Sequence, residues 1–186
     1  MPLSRFLFDT YPGFFVLALP FAAAAWGLAW AFSARQRPLA PRSRRLCRSF
    51  FAAYLTGLFL LTLLLDPLRV LWYRALYGRG GLAISWLGGS FDPVPHPAKW
   101  LHDRESITNI LAFLPFGALH PPAQGSPSLG KTVFAGFLCS LAIELLQPIV
   151  GRACDVNDLI LNMLGALVSA LCFFGFRALR RRKKLI

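Results

Sequence analysis

Apolar residues gather in five long stretches, at residues 13–32, 50–65, 107–120, 133–150 and 159–176, and polar residues enter them almost only at the ends. A membrane-spanning helix needs about 20 residues, so the first, second, fourth and fifth stretches read as transmembrane helices. The third is the weak one. Its apolar run is short and contains Pro115, and it reaches spanning length only if residues 100–106 carry the helix outward. Without that extension it is re-entrant. The fourth and fifth stretches, joined by a tight polar connection, read as a helical hairpin.

Orientation follows from basic residues in short loops, which stay on the cytoplasmic side. Arg35, Arg37, Arg42, Arg44, Arg45 and Arg48 fill the first connection, and Arg177, Arg180, Arg181, Arg182, Lys183 and Lys184 crowd the C-terminus. If both clusters are cytoplasmic, the N-terminus is outside and only an odd number of spans brings the C-terminus back in. The fold expected is therefore an all-α integral membrane protein, a bundle of five transmembrane helices with the N-terminus outside and the C-terminus cytoplasmic. The same parity favours a true third span and argues against cleavage at the alanine run of residues 22–25 as a signal peptide.

The long connection after the second helix is then extracytoplasmic. Trp72, Tyr73, Tyr77, Trp86 and Trp100 alternate there with Arg69, Arg74 and Arg79, the pattern of a segment lying among headgroups. It reads either as an anchor or as a lid that flexes at Gly78, Gly80, Gly81, Gly88 and Gly89. The expected organisation has four parts: residues 1–65 with two helices, an interfacial segment at 66–102, a three-helix region at 103–176 and a basic tail at 177–186.

Composition agrees with this class, because a 186-residue chain that is 56% hydrophobic is too apolar for a soluble domain. The net charge of +12 does not imply nucleic acid, since the two topology-setting clusters hold twelve of the twenty basic residues. Those clusters also suit the anionic lipids of a cytoplasmic leaflet. Cys47, Cys139, Cys154 and Cys172 are separated by the topology, so no disulfide or metal framework is expected. Only His102 among the three histidines adjoins acidic residues, and no ligand spacing surrounds it. No phosphate loop, nucleophile elbow or internal repeat is present, and no cofactor is expected.

The informative feature is where the remaining polar residues fall. Asp103, Glu105 and Asn109 stand at the front of the third stretch, and Glu144 and Gln147 at the back of the fourth. Arg152, Asp155 and Asn157 occupy the connection, and Asp158 and Asn162 the front of the fifth. Consecutive spans alternate in direction, so all of these meet at one membrane face. Five of the eight carboxylates are in that set. Ionisable groups are costly at membrane depth, and such clustering reads as a site.

Helical spacing orders the set. Ser140, Glu144 and Gln147 share one stripe of the fourth helix, and Asp158, Asn162, Gly165 and Ser169 share one of the fifth. Gly165 and Ser169 form a small pair that admits a neighbouring helix at close range. Asn109, Phe113, Phe116 and Gly117 make the facing stripe of the third helix. Structural alternatives stand beside these functional ones. Asp155 with Asp158 has the spacing of a helix cap, and Asn109, Gln147 and Asn162 suit interhelical hydrogen bonds. Arg152 is expected to pair with a carboxylate, first of all Glu144, because Pro148 ends the fourth helix and Gly151 turns the chain back.

The run Asn109-Ile-Leu-Ala-Phe-Leu-Pro-Phe-Gly117, then Ser140-Leu-Ala-Ile-Glu144-Leu-Leu-Gln147, then Gly151-Arg152-Ala-Cys-Asp155-Val-Asn-Asp158-Leu-Ile-Leu-Asn162-Met-Leu-Gly165 resembles the VanZ-like family of bacterial membrane proteins. The resemblance extends over residues 103–176. It implies a multi-span protein of the bacterial cytoplasmic membrane, in a family whose namesake is associated with resistance to the glycopeptide antibiotic teicoplanin. It also carries Glu144, Gln147, Arg152, Asp155, Asp158 and Asn162 over as site residues. The family's biochemical activity is not established, so the resemblance supplies no mechanism. Many members open this region with Asp-Lys and a histidine one helical turn later, where this chain has Asp103-Arg104-Glu105 and Asn109.

The leading expectation is an outward-facing pocket for an amphiphilic ligand, either a lipid-linked cell-envelope precursor or a lipoglycopeptide. Glu144, Asp155 and Asp158 would face its cationic or hydrogen-bonding groups and Arg152 its carboxylate or phosphate, with Asp103, Asn109, Gln147 and Asn162 completing the set. Two alternatives stay open. One is a membrane-embedded hydrolase or transferase using Glu144, Asp155 and Asp158 as catalytic carboxylates, and the other a scaffold. A transporter is disfavoured, because the cytoplasmic halves of the spans are almost devoid of polar residues. The partners expected are membrane lipids and that ligand.

Overall fold

Every long apolar stretch is helical in the computed structural model, which describes residues 3–36, 39–78, 87–100, 103–125 and 127–182. A short helix α1 (Leu3–Asp9) precedes α2 (Tyr11–Gln36), and α3 (Arg42–Thr62) turns sharply into α4 (Leu65–Tyr77). Then come α5 (Arg104–Ala123), α6 (Leu129–Leu146) and α7 (Val156–Arg182). The chain is all-helical as expected, and among the described residues the one strand pairing is a two-residue parallel contact of β1 (Phe91–Asp92) with β2 (Cys154–Asp155).

Among the described residues three helices are long and apolar enough to cross a membrane: α2, α7, and α6 together with the 3-10 turn that continues it to Val150. The pair α3 and α4, bent by 90°, makes a fourth if it is one broken span. Helix α5 has the length of a span, 20 residues and so about 30 Å, but not the apolar composition of those three. Its position accounts for that. It packs against α7, α3 and α6, so much of its surface meets protein.

Local chemistry sets the helix ends. Asp103 caps α5 by accepting from the Glu105 amide at 3.3 Å, and Ser128 caps α6 by accepting from the Lys131 amide at 3.2 Å. The outward extension expected at residues 100–106 is therefore realised only from Arg104 on, and α5 gains as many residues at the other end, through Pro121, Pro122 and Ala123. Pro148 has no amide hydrogen, and the regular helix stops at Leu146. Gly151 then adopts a left-handed conformation, φ 76°, that reverses the chain.

The closest helix contact is between α5 and α7. A side chain at Gly165 would overlap the Ile110 carbonyl, and one at Gly117 would overlap Ser169 and the Ala166 carbonyl. Backbone meets backbone there, as the small-residue spacing predicts. Around this contact lie Leu58, Leu63, Phe113, Phe116, Ile143 and Ala166. A second cluster, Leu7, Phe8, Leu17, Ala18 and Leu68, packs α1 and α4 onto the start of α2. Trp72 donates from Nε1 to the Leu17 carbonyl at 2.9 Å, and Tyr73 stacks edge-on against Phe8. These two aromatic residues, expected in a segment that anchors or covers the bundle, are half-buried against protein. Trp86, Arg79, Gly80 and Gly81 lie outside the described residues.

Two ends of the bundle result. At one, Arg48 Nε reaches the Ala123 carbonyl at 3.0 Å, joining the basic start of α3 to the end of α5. At the other stand the acidic residues.

Candidate functional site

Glu144 lies in the last turn of α6 and is only 2% exposed. Its Oε2 accepts from the Asp155 backbone amide at 3.0 Å. Gln147, with its amide nitrogen turned toward the available acceptors, donates to Glu144 Oε2 at 2.9 Å and to the Ala153 carbonyl at 2.8 Å. One carboxylate oxygen therefore ties the end of α6 to the returning chain. Among the described residues nothing donates to Oε1.

Asp155 serves as the cap of α7. Its Oδ1 accepts from the Asn157 amide at 2.7 Å and from Asn157 Nδ2 at 2.8 Å. The reciprocal half of a capping box does not form, because the Asp155 amide goes to Glu144 and not to Asp158. Asp158 faces α5 instead, beside Asn109 and within electrostatic reach of Glu105.

Arg152 corrects the sequence reading. It forms no ion pair with Glu144; its Nη1 donates to the Thr62 carbonyl at the end of α3, 2.9 Å away. Its charge acts on Glu144 and Asp158 through space only. The last carbonyls of α3 lack helical partners, and a guanidinium satisfies one of them.

Besides Gln147 and Arg152, two more of the expected ligand-binding residues are engaged in structural contacts. Asn162 is buried and donates to Ser140 Oγ at 3.0 Å, joining α7 to α6, and Asp103 is the exposed cap of α5. What the structure brings together is Glu144, Gln147, Asp155, Asp158, Asn109 and Arg152.

The sequence left residues 66–102 as either an anchor or a lid, and it did not show what residues 87–100 touch. This segment lies along the connection between α6 and α7. The Leu87 amide donates to the Ile149 carbonyl at 3.0 Å, and the Cys154 amide to the Ser90 carbonyl at 2.9 Å. Gly89 is pressed against Pro148 and the Arg152 carbonyl, where no side chain fits. Asn157 fastens the other half. Its Oδ1 accepts from the His96 amide at 2.6 Å and from Trp100 Nε1 at 2.9 Å, while Nδ2 donates to the Val94 carbonyl at 3.2 Å. The signal available in the sequence was a buried-type amide two residues after the cap.

Replacing Asn157 by alanine should therefore free residues 94–100 from α7, because it removes the partners of two donors and one acceptor at once. Hydrogen exchange at His96 and proteolysis between residues 87 and 100 should accelerate while α5 and α7 stay protected. Unchanged protection of the segment would show that the strand pairing holds it without Asn157.

Cys154 beneath this segment is buried, and burial first, then the Glu144 and Asp155 charges, push its thiol pKa up. It is held as a neutral thiol, unsuited to nucleophilic work. Among the described residues no group of three His, Cys, Asp or Glu side chains is placed to hold a metal ion. His102 lies outside the described residues. His120 stands at the basic end, where Nδ1 contacts Thr132 Oγ1 at 3.1 Å and Nε2 contacts Gln124 Nε2 at 3.1 Å.

A family model described as VanZ/LLP1 matches residues 51–177. The match begins inside α3 and so extends beyond the residues 103–176 that carry the resemblance in sequence. That wider extent fits the contacts, since Arg152 reaches α3 and residues 87–100 cover the α6–α7 connection. Searches among curated proteins and among solved structures gave no match. With the family match running from α3 to the last turns of α7, the chain belongs to the VanZ/LLP1 family of membrane proteins.

Proposed function

We propose that this membrane protein binds an amphiphilic cell-envelope ligand, a lipid-linked precursor or a lipoglycopeptide, in a pocket at its acidic end. The observation carrying this reading is the juxtaposition of acid, amide and guanidinium groups around the α6–α7 turn. Glu144 is fixed by two donors on one oxygen while its other oxygen has none among the described residues, and Asp158 and Arg152 retain unused hydrogen-bonding capacity. Groups that only held helices together would be expected to satisfy one another. Asp155 is committed to its cap and contributes chiefly charge.

The basic clusters support an orientation with this end outside and α5 counted as a fifth span sheltered by its neighbours. In a bacterial cytoplasmic membrane the pocket would then open in the outer leaflet, where envelope precursors and glycopeptides are met. Catalysis on such a precursor is the second reading, and it rests on Glu144 and Asp158 as the remaining carboxylate pair.

The test is cellular and structural together. Glu144→Gln, Asp158→Asn and Arg152→Gln should each abolish a glycopeptide-resistance or envelope phenotype while protein level and detergent melting temperature stay near wild type, since each change is nearly isosteric. Loss of folded protein in all three would leave the cluster a scaffold. Accumulation of one envelope precursor in Glu144→Gln cells, read by lipid mass spectrometry, would mark catalysis over binding.

A further inference from the structure

We infer that the ligand is a single-chain amphiphile with a zwitterionic phosphate and ammonium headgroup, its chain in a groove between α3 and α6, its phosphate on Arg152 and its ammonium toward Asp158. The inference rests on the ligand-binding reading above and specifies its chemistry. The groove has a volume of about 220 Å³ and is lined by Phe59, Leu63, Leu64, Leu146, Ile149 and Val150. All six are apolar. For comparison, an engineered cavity of about 150 Å³ takes up a benzene molecule, so this space suits a length of one alkyl chain. Leu64, Leu146 and Ile149 stay exposed along it, which leaves the groove open for entry.

The headgroup follows from what borders that groove. Arg152 comes two residues after the lining residue Val150, and its guanidinium is held at the carbonyl of Thr62, next to the lining residue Leu63. A guanidinium has five N–H donors, and among the described residues this one makes a single hydrogen bond. A phosphate at the groove mouth matches its remaining donors.

A simple anion is disfavoured there. Glu144, Asp155 and Asp158 act on one another or with Arg152 through space, and Glu105 acts on Asp158, so acids outnumber bases around the Arg152 guanidinium that borders the groove. A cationic group on the same ligand answers that excess. Asp158, half-buried and beside Asn109, is the carboxylate not engaged by a backbone amide.

The experiment uses the full chain in uncharged maltoside micelles and a dodecyl phosphoethanolamine probe with a diazirine at the chain end. Dodecyl phosphate and dodecyl alcohol carrying the same diazirine serve as comparisons. Light should attach the zwitterionic probe at Phe59, Leu63, Leu146 or Ile149, about tenfold more than either comparison, the factor corresponding to one net charge-assisted hydrogen bond. Arg152→Gln and Asp158→Asn should each reduce labelling to the level of the alcohol. Ile149→Trp, which fills the groove and leaves both charges in place, should remove it. Equal labelling by the alcohol or the phosphate overturns the proposal, as does labelling spread over α2 or unaffected by Ile149→Trp. Failure here alongside loss of the envelope phenotype in Glu144→Gln would sink this ligand chemistry alone; groove labelling with an intact phenotype in that variant would sink the broader site reading.

Discussion

Gly165→Val is expected to yield little or no folded protein, while Gly175→Val in the same helix is expected to be tolerated. The difference lies in what each position faces. A Cβ at Gly165 would overlap the Ile110 carbonyl oxygen of α5, a backbone atom that a rotamer change cannot move, whereas among the described residues nothing lies within 4 Å of a Cβ at Gly175. Gly117 repeats the contact from the α5 side, against Ser169, the Ala166 carbonyl and the Ala170 amide. Overpacking of this kind costs about 1–3 kcal/mol for a modest intrusion and more where backbone must shift, out of a total stability of about 5–15 kcal/mol. Alanine at Gly165 should therefore lower the detergent melting temperature and valine should abolish the monodisperse peak in size exclusion. A wild-type melt for Gly165→Val would mean that α5 and α7 do not touch as described.

Glu144→Leu should be far more damaging to stability than Glu144→Gln. Leucine removes the acceptor of both the Asp155 amide and the Gln147 side chain, and each buried donor left unpaired costs about 1–3 kcal/mol. The sum, about 2–6 kcal/mol, should appear as a large drop in melting temperature. Glutamine keeps a carbonyl oxygen where Oε2 stands, so both donors retain a partner and only the charge-assisted part of the bonds is lost. Equal melting of the two variants would show that the carboxylate does not organise the α6–α7 turn. In the same measurement, Glu144→Gln and Arg152→Gln should be nearly additive, since the guanidinium is bonded to Thr62 and not to the carboxylate.

Much of this was legible along the chain because it depends on neighbours in sequence. The apolar runs place α2, α3, α6 and α7, and the alternation of direction brings Asn109, Glu144, Asp155 and Asp158 to one end. Pro148, Gly151 and the Asp155 cap act within a few residues of themselves, and the Gly165 and Ser169 spacing marks the face that meets α5. Composition gave α5 the weakest apolar signal, through its polar start and three prolines, and the structure shows it packed against three other helices.

Only the tertiary structure decided what Arg152 binds, that α4 folds back at 90° onto α1 and α2, and that residues 87–100 cover the α6–α7 connection. These have a common physical cause. The acceptors at Thr62, Ser90, Val94 and Ala153 are backbone carbonyls, which every residue type carries alike. A side chain that seeks another side chain leaves a pair of residue types to read, and charge matching pointed Arg152 to Glu144 for that reason. A side chain that seeks a distant carbonyl leaves no such mark, and its partner is chosen by where the packed helices happen to end.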